Sequence, residues 1–104
     1  NERARKADPE KITSRMAWRA ILEALPKDAI ISSDIGNSCA LGAAYPTFEE
    51  GRKYLAPGMF GPCGYGFPAI CGAKIAKPDV PVVGFAGDGA FGISMNEMAG
   101  PPLP

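Results

Sequence analysis

The sequence predicts an α/β fold built on a partial, doubly wound parallel sheet, and three observations carry that expectation. Short apolar runs at residues 29–32 and 80–86 each lead directly into a glycine-containing turn, the pattern of strands buried on both faces. Amphipathic helical periodicity precedes each run. The acid of Gly87-Asp88-Gly89 then falls at the carboxyl end of the later strand, the edge at which open α/β sheets bind their ligands.

Residues 1–7 are polar and charged and read as a linker or frayed end. Asp8 followed by Pro9 makes a helix start, because proline at the first helical position lacks only an N–H that would be unpaired anyway. Ile12, Met16 and Ala20 recur every four residues, and Ile21, Leu22 and Leu25 extend the apolar face until Pro26 ends the helix. The strand at 29–32 runs into Ser33-Asp34-Ile35-Gly36-Asn37-Ser38, a turn, and the small side chains of 39–45 suit a short helix packed closely on that strand. A polar loop at 46–52 and a short strand at 53–56 follow.

Residues 58–66 hold glycines at 58, 61, 64 and 66, with Met59, Phe60, Cys63 and Tyr65 among the residues between them. A flexible linker of that glycine density would carry serine and charge instead. The stretch therefore reads as an ordered loop against a ligand or another backbone. The next helix places Phe67, Cys71 and Ile75 on one stripe, Pro68 in its first turn and Lys74 and Lys77 near its carboxyl end, and Pro78 with Asp79 stops it. After the strand at 80–86, Ser94 and Glu97 form an S-x-x-E capping box that predicts a new helix reaching about Ala99. Three prolines within residues 100–104 make a non-helical tail. The expected organisation is thus a partial domain over 8–99, truncated at its C-terminal end, with apolar faces left uncovered.

Eleven basic and 11 acidic residues balance, so no global field draws the chain to nucleic acid or to an anionic membrane. No apolar stretch approaches the roughly 20 residues of a membrane helix, and the expected location is cytoplasmic. With no histidine, triads of the Ser-His-Asp and Cys-His kinds are excluded. The cysteines Cys39, Cys63 and Cys71 show no familiar zinc spacing and read as free thiols, Cys39 and Cys71 as core packing.

Gly87-Asp88-Gly89-Ala90-Phe91-Gly92 also satisfies G-x-G-x-x-G, so a nicotinamide dinucleotide site and a plain strand-to-helix turn are both open readings. The aspartate argues against a bare pyrophosphate, since two like charges about 4 Å apart cost roughly 4 kcal/mol at an effective dielectric of about 20. A magnesium ion reverses that sign by bridging carboxylate and phosphate. Asp88 is then the metal ligand, and the N–H groups of Gly89 and Ala90 are phosphate donors at a helix start.

Taken together, Ser33-Asp34-Ile35-Gly36-Asn37, Gly61-Pro62-Cys63-Gly64-Tyr65-Gly66-Phe67-Pro68 and Gly87-Asp88-Gly89 resemble the diphosphate-binding domain of thiamine-diphosphate enzymes of the acetolactate synthase and pyruvate decarboxylase group. The resemblance covers roughly residues 10–99. It implies thiamine diphosphate and Mg2+ as cofactors, with Asp88 on the metal and Gly36, Asn37, Ser38, Gly89 and Ala90 on the diphosphate. It implies that the Gly61 carbonyl accepts from the aminopyrimidine and that Cys63 supports the bent cofactor, where relatives carry a larger apolar residue. For the parent enzyme it implies conversion of sulfoacetaldehyde and phosphate to acetyl phosphate and sulfite, in a homo-oligomer whose site lies between subunits; an acetolactate synthase-like reaction is the alternative. The family's second metal ligand, an asparagine further along, and its pyrimidine-activating glutamate have no counterpart in this sequence, Asn96 being too close to Asp88. No catalytic residue is assigned, and the chain alone is expected to be inactive.

Overall fold

Strand β1 (Ile30–Ser33) is buried at every position and lies at the centre of a sheet ordered β2-β1-β3, between β2 (Tyr54–Leu55) and β3 (Val82–Phe85). Both pairings are parallel, with Ile31 opposite Tyr54 and Ser33 opposite Phe85. These are the expected strands, the first shifted by one residue so that Ser33 belongs to it rather than to the turn, and the other two trimmed at both ends. The computed structural model describes residues 11–44 and 53–100. The linker at 1–7, the Asp8 and Pro9 helix start, the whole polar loop at 46–52 and the last four residues of the tail lie outside the described residues.

Of the helices α1 (Ser14–Ala24), α2 (Asn37–Ala44), α3 (Gly66–Ala76) and α4 (Asp88–Ser94), α3 packs on β1 and β3, α2 packs on β1 and α1, and α4 packs on α3. Side-chain parity along β3 separates the two faces. The Phe85 ring meets Trp18 of α1, with centroids 4.4 Å apart. Gly84 points the other way, where a Cβ would stand 3.1 Å from the Ile70 side chain of α3. Helices therefore cover both faces, and the doubly wound parallel architecture is present in these three strands. Tyr54 joins α2 to the first face: its ring lies against Gly42, and its hydroxyl reaches both Ser33 Oγ at 2.5 Å and the Cys39 carbonyl at 3.4 Å.

Several local expectations are corrected. Helix α1 begins at Ser14, capped by Thr13, whose Oγ1 accepts from Met16 N at 3.2 Å, so Ile12 precedes the helix. Its inward side is Trp18, Leu22 and Leu25, while Ile12 and Met16 are exposed. A single indole buries more apolar area than the alanine-ended stripe, and packing decides the rotation of the helix. In α3 the same thing happens: Ile70 faces the sheet, whereas Cys71 and Ile75 of the expected stripe are exposed. Neither Cys71, which is exposed, nor Cys39, which is half-buried, is a core residue.

The largest correction concerns the third glycine motif. Helix α4 starts at Asp88 with Gly87 as its cap in an extended conformation, and a 3₁₀ segment Met95–Ala99 continues it. The helix thus begins six residues before the Ser94 capping box expected to start it. Ser94 is buried and its hydroxyl donates to the Gly64 carbonyl at 2.8 Å, so it caps nothing. Asn37 and Ser38 likewise belong to the first turn of α2 rather than to the turn before it.

Candidate functional site

Parallel pairing brings the ends of β1 and β3 to one edge of the sheet, where Asp34 N donates to Phe85 O at 2.8 Å. Two residues beyond Asp34 the chain turns at Gly36 into α2, and three residues beyond Phe85 it enters α4 at Asp88. Gly36 has φ +115, a left-handed conformation that only glycine takes without strain. No heavy atom lies within 4 Å of the Cβ positions at Gly36, Gly87 or Gly89. The edge is therefore open above three glycines, at the starts of two helices whose first N–H groups have no partner within the helix.

The loop at 58–66 closes on this edge. Gly61, with φ +58, lies against the turn so that a Cβ would stand 3.0 Å from Ile35 Cδ1. Gly64, with φ +88, lies against Ile93 and Ser94 of α4. Phe67 and Phe91 add an edge-to-face contact, centroids 5.8 Å apart, between the first turns of α3 and α4. All three sequence segments singled out for the site consequently meet at the carboxyl edge.

One side chain joins two of them, the turn after β1 and the loop, and it was assigned no role from the sequence. The carboxylate of Asp34 is fully buried. Its Oδ1 accepts from Ile35 N at 2.8 Å and from Gly64 N at 3.0 Å, and its Oδ2 accepts from Gly66 N at 2.7 Å. A buried carboxylate requires such donors, and N–H groups that point at it are bound more strongly than by a neutral acceptor. The signal in the sequence is an acid at the last position of a buried run, followed after an interval by a glycine-dense loop with uncovered N–H groups.

The candidate ligands differ in exposure. Asp88 is exposed in the first turn of α4, where its charge complements the helix dipole. Among the described residues no side chain pairs with Asp88, and no group of three or more His, Cys, Asp and Glu could hold a metal ion. Of the residues singled out for the site, Asp88 is the exposed carboxylate that could reach an ion. Gly89 is exposed and Ala90 buried, while Gly36 and Asn37 are exposed beside a half-buried Ser38. Cys63 is exposed on the loop next to Gly64, and Met59 and Phe60 project into solvent at its tip. Open space above the glycines, free helix-start donors and one unpaired exposed carboxylate fit a diphosphate carried with a divalent cation.

No helix among the described residues is long and apolar enough to cross a membrane. Residues 34–100 match the family model described as thiamine pyrophosphate enzyme, C-terminal TPP binding domain. The chain is 74% identical over 98 residues to a sulfoacetaldehyde acetyltransferase of Roseovarius nubinhibens, an alignment covering 94% of this chain and 16% of that protein. It is also 74% identical over 98 residues to a probable sulfoacetaldehyde acetyltransferase of Rhizobium meliloti, covering 94% of this chain and 17% of the relative. Acetolactate synthase 1, chloroplastic, of Zea mays is 34% identical over 94 residues, covering 90% of this chain and 15% of that enzyme. The chain spans about a sixth of the length of these curated relatives.

Proposed function

Because this chain belongs to the thiamine pyrophosphate enzymes, as their C-terminal TPP binding domain, we propose that its open sheet edge holds the diphosphate of that cofactor together with a magnesium ion. The observation carrying the proposal is the gathering of Gly36, Gly61 and Gly87-Asp88-Gly89 at the carboxyl ends of neighbouring parallel strands. Asp88 supplies the protein's carboxylate to the metal. Backbone N–H groups of Gly89 and Ala90, with those of Gly36, Asn37 and Ser38 at the start of α2, donate to phosphate oxygens. On the loop, the Gly61 carbonyl accepts from the aminopyrimidine and Cys63 supports the cofactor from its exposed position.

When bound, thiamine diphosphate supplies an electron sink for acyl transfer. The chain's part is to bind and orient it, with no catalytic side chain of its own. The parent protein, in this proposal, is a cytoplasmic acyltransferase that converts sulfoacetaldehyde and phosphate to acetyl phosphate and sulfite, and acts as a homo-oligomer with its site between subunits. Support comes from the 74% identity to the Roseovarius nubinhibens enzyme, against 34% to the Zea mays acetolactate synthase. The family match favours thiamine diphosphate over a nicotinamide dinucleotide as the ligand of the glycine pattern.

Calorimetric titration tests the cofactor reading. Thiamine diphosphate should bind saturably with magnesium and at least about tenfold more weakly in Asp88→Ala, the loss of one charge-assisted ligand. Saturable binding of NAD without magnesium, and no response to thiamine diphosphate, would reject it. For the parent protein, sulfite release from sulfoacetaldehyde supports the acetyltransferase, while acetolactate formed from pyruvate supports the synthase. The chain alone should form no acetyl phosphate.

A further inference from the structure

We propose that Asp34 is a positioning residue, a buried clamp that makes the cofactor loop and the turn after β1 a single unit. This inference rests on the cofactor reading above and adds a residue to which that reading gives no part. Its basis is the distribution of the three hydrogen bonds: one carboxylate oxygen is shared by Ile35 N in the turn and Gly64 N in the loop, and the other is given to Gly66 N, where α3 begins.

Both carboxylate oxygens are used as acceptors. Shortening to alanine leaves three N–H groups without their acceptor, that of Gly66 buried and those of Ile35 and Gly64 partly so, and a buried unpaired donor is penalised in full. Close approach is also required, because a Cβ on Gly66 would stand 3.1 Å from both the backbone and the carboxylate of Asp34. Gly64 is then gripped from the opposite side, its carbonyl accepting from Ser94 Oγ at 2.8 Å. The peptide groups on either side of Gly64 are thus tied to Asp34, the residue after β1, and to Ser94 of α4. Gly61 and Cys63 sit on the stretch of loop just before this double attachment, and Gly36 sits just after the carboxylate on the strand side. A shift of the carboxylate would move both surfaces offered to the cofactor.

Asp34→Asn separates positioning from simple bulk. An amide of the same shape keeps one oxygen for Ile35 N and Gly64 N but turns an NH2 donor toward the Gly66 N–H. In the isotope-labelled full chain, amide exchange at Gly66 should accelerate at least about tenfold, the loss of one charge-assisted hydrogen bond. Exchange at Ile31 and Val83 in the sheet should stay as in the parent chain. Binding of magnesium and thiamine diphosphate should weaken by a similar factor. Unaltered Gly66 exchange, or unaltered affinity with the loop released, would overturn the clamp. Should the substitution unfold the chain, the unsubstituted protein decides: a through-hydrogen-bond coupling between Gly66 N and the Asp34 carboxyl carbon supports the clamp, and its absence overturns it. A parent chain that binds no thiamine diphosphate rejects the cofactor reading instead, and the exchange and coupling results then judge the clamp alone.

Discussion

Ser33 and Tyr54 share a 2.5 Å hydrogen bond across the β1 and β2 junction, and its polarity is set by a third group. The Cys39 carbonyl can only accept, so the Tyr54 hydroxyl donates to it at 3.4 Å and receives its own hydrogen bond from Ser33. This chain ties the edge strand, the central strand and α2 together. Tyr54→Phe should lower stability by about 1 kcal/mol, leaving Ser33 Oγ buried without its partner. Urea denaturation of both proteins at pH 8 measures the loss, and equal midpoints would show the bond to be idle.

The same phenol makes stability depend on alkaline pH. Burial, the largest influence, pushes Tyr54 above the ordinary phenol value of about 10; the Ser33 hydrogen bond opposes this, and Cys39 adds to it. A raised folded value means that the folded state keeps its proton more tightly than the unfolded chain. The contribution is fully present below about pH 10 and is lost as pH rises through the raised folded value. Urea midpoints followed from pH 8 to 11.5 should fall more steeply above pH 10 in the parent chain than in Tyr54→Phe. Parallel profiles would place the alkaline loss elsewhere.

Trp18, the sole tryptophan, is 6% exposed against Phe85 and should dominate the packing of α1. Trp18→Ala should cost about 3–5 kcal/mol, a large share of the stability of a domain this small. Trp18→Phe, which keeps a ring against Phe85, should cost clearly less. Circular dichroism during thermal unfolding compares the three proteins. A melting temperature for the alanine variant close to that of the parent would mean that α1 contributes little to the fold.

The strands were legible because a buried parallel strand needs little more than a short apolar run and a turn after it, as in β1 and β3. Helix rotation was less legible. The i+4 stripe at Ile12, Met16 and Ala20 obeys the right period, yet Trp18 outweighs it, and area rather than period chooses the face. At α4 the glycine pattern of 87–92 read as a turn between strand and helix, while Ser94 and Glu97 imitated a helix start. Tertiary contacts prevail there: Ser94 gives its hydroxyl to Gly64, 30 residues away, and Phe91 packs on Phe67. The site segments were found by their glycines, but the carboxylate joining the turn to the loop was not, since the donors to Asp34 become visible only once the loop is folded back.

The thiols offer a reading of the site that needs no substitution. Cys63 and Cys71 are exposed and Cys39 is half-buried, so a small alkylating reagent should modify the first two faster. Magnesium with thiamine diphosphate should slow Cys63 and leave Cys71, on the far stripe of α3, unchanged. Peptide mass spectrometry after timed quenching resolves the three positions. Equal protection of Cys63 and Cys71 would point to general tightening and count against a cofactor contact at Cys63.

Two glycines at the site should respond oppositely to the same added methyl group. Gly64 holds φ +88, and its Cβ would stand 2.8 Å from Ile93 Cγ2 and 3.0 Å from Ser94 Oγ. Ile93 is exposed and its side chain can give way, but Ser94 is buried and holds the Gly64 carbonyl, so that bond is strained along with the left-handed backbone. Gly64→Ala should therefore cost about 2–3 kcal/mol. Gly87 is different: it caps α4 with φ -74 and ψ 167, ordinary extended values, and nothing lies within 4 Å of its Cβ position. Gly87→Ala should change stability by less than about 1 kcal/mol, the small difference between glycine and alanine at a helix cap. Its methyl group would instead enter the open edge above the helix start, so binding of thiamine diphosphate should weaken while the fold stands. Urea titrations followed by Trp18 fluorescence give the stabilities, and calorimetry gives the affinities. A Gly87→Ala chain that binds as the parent does would show that the cofactor keeps clear of this edge.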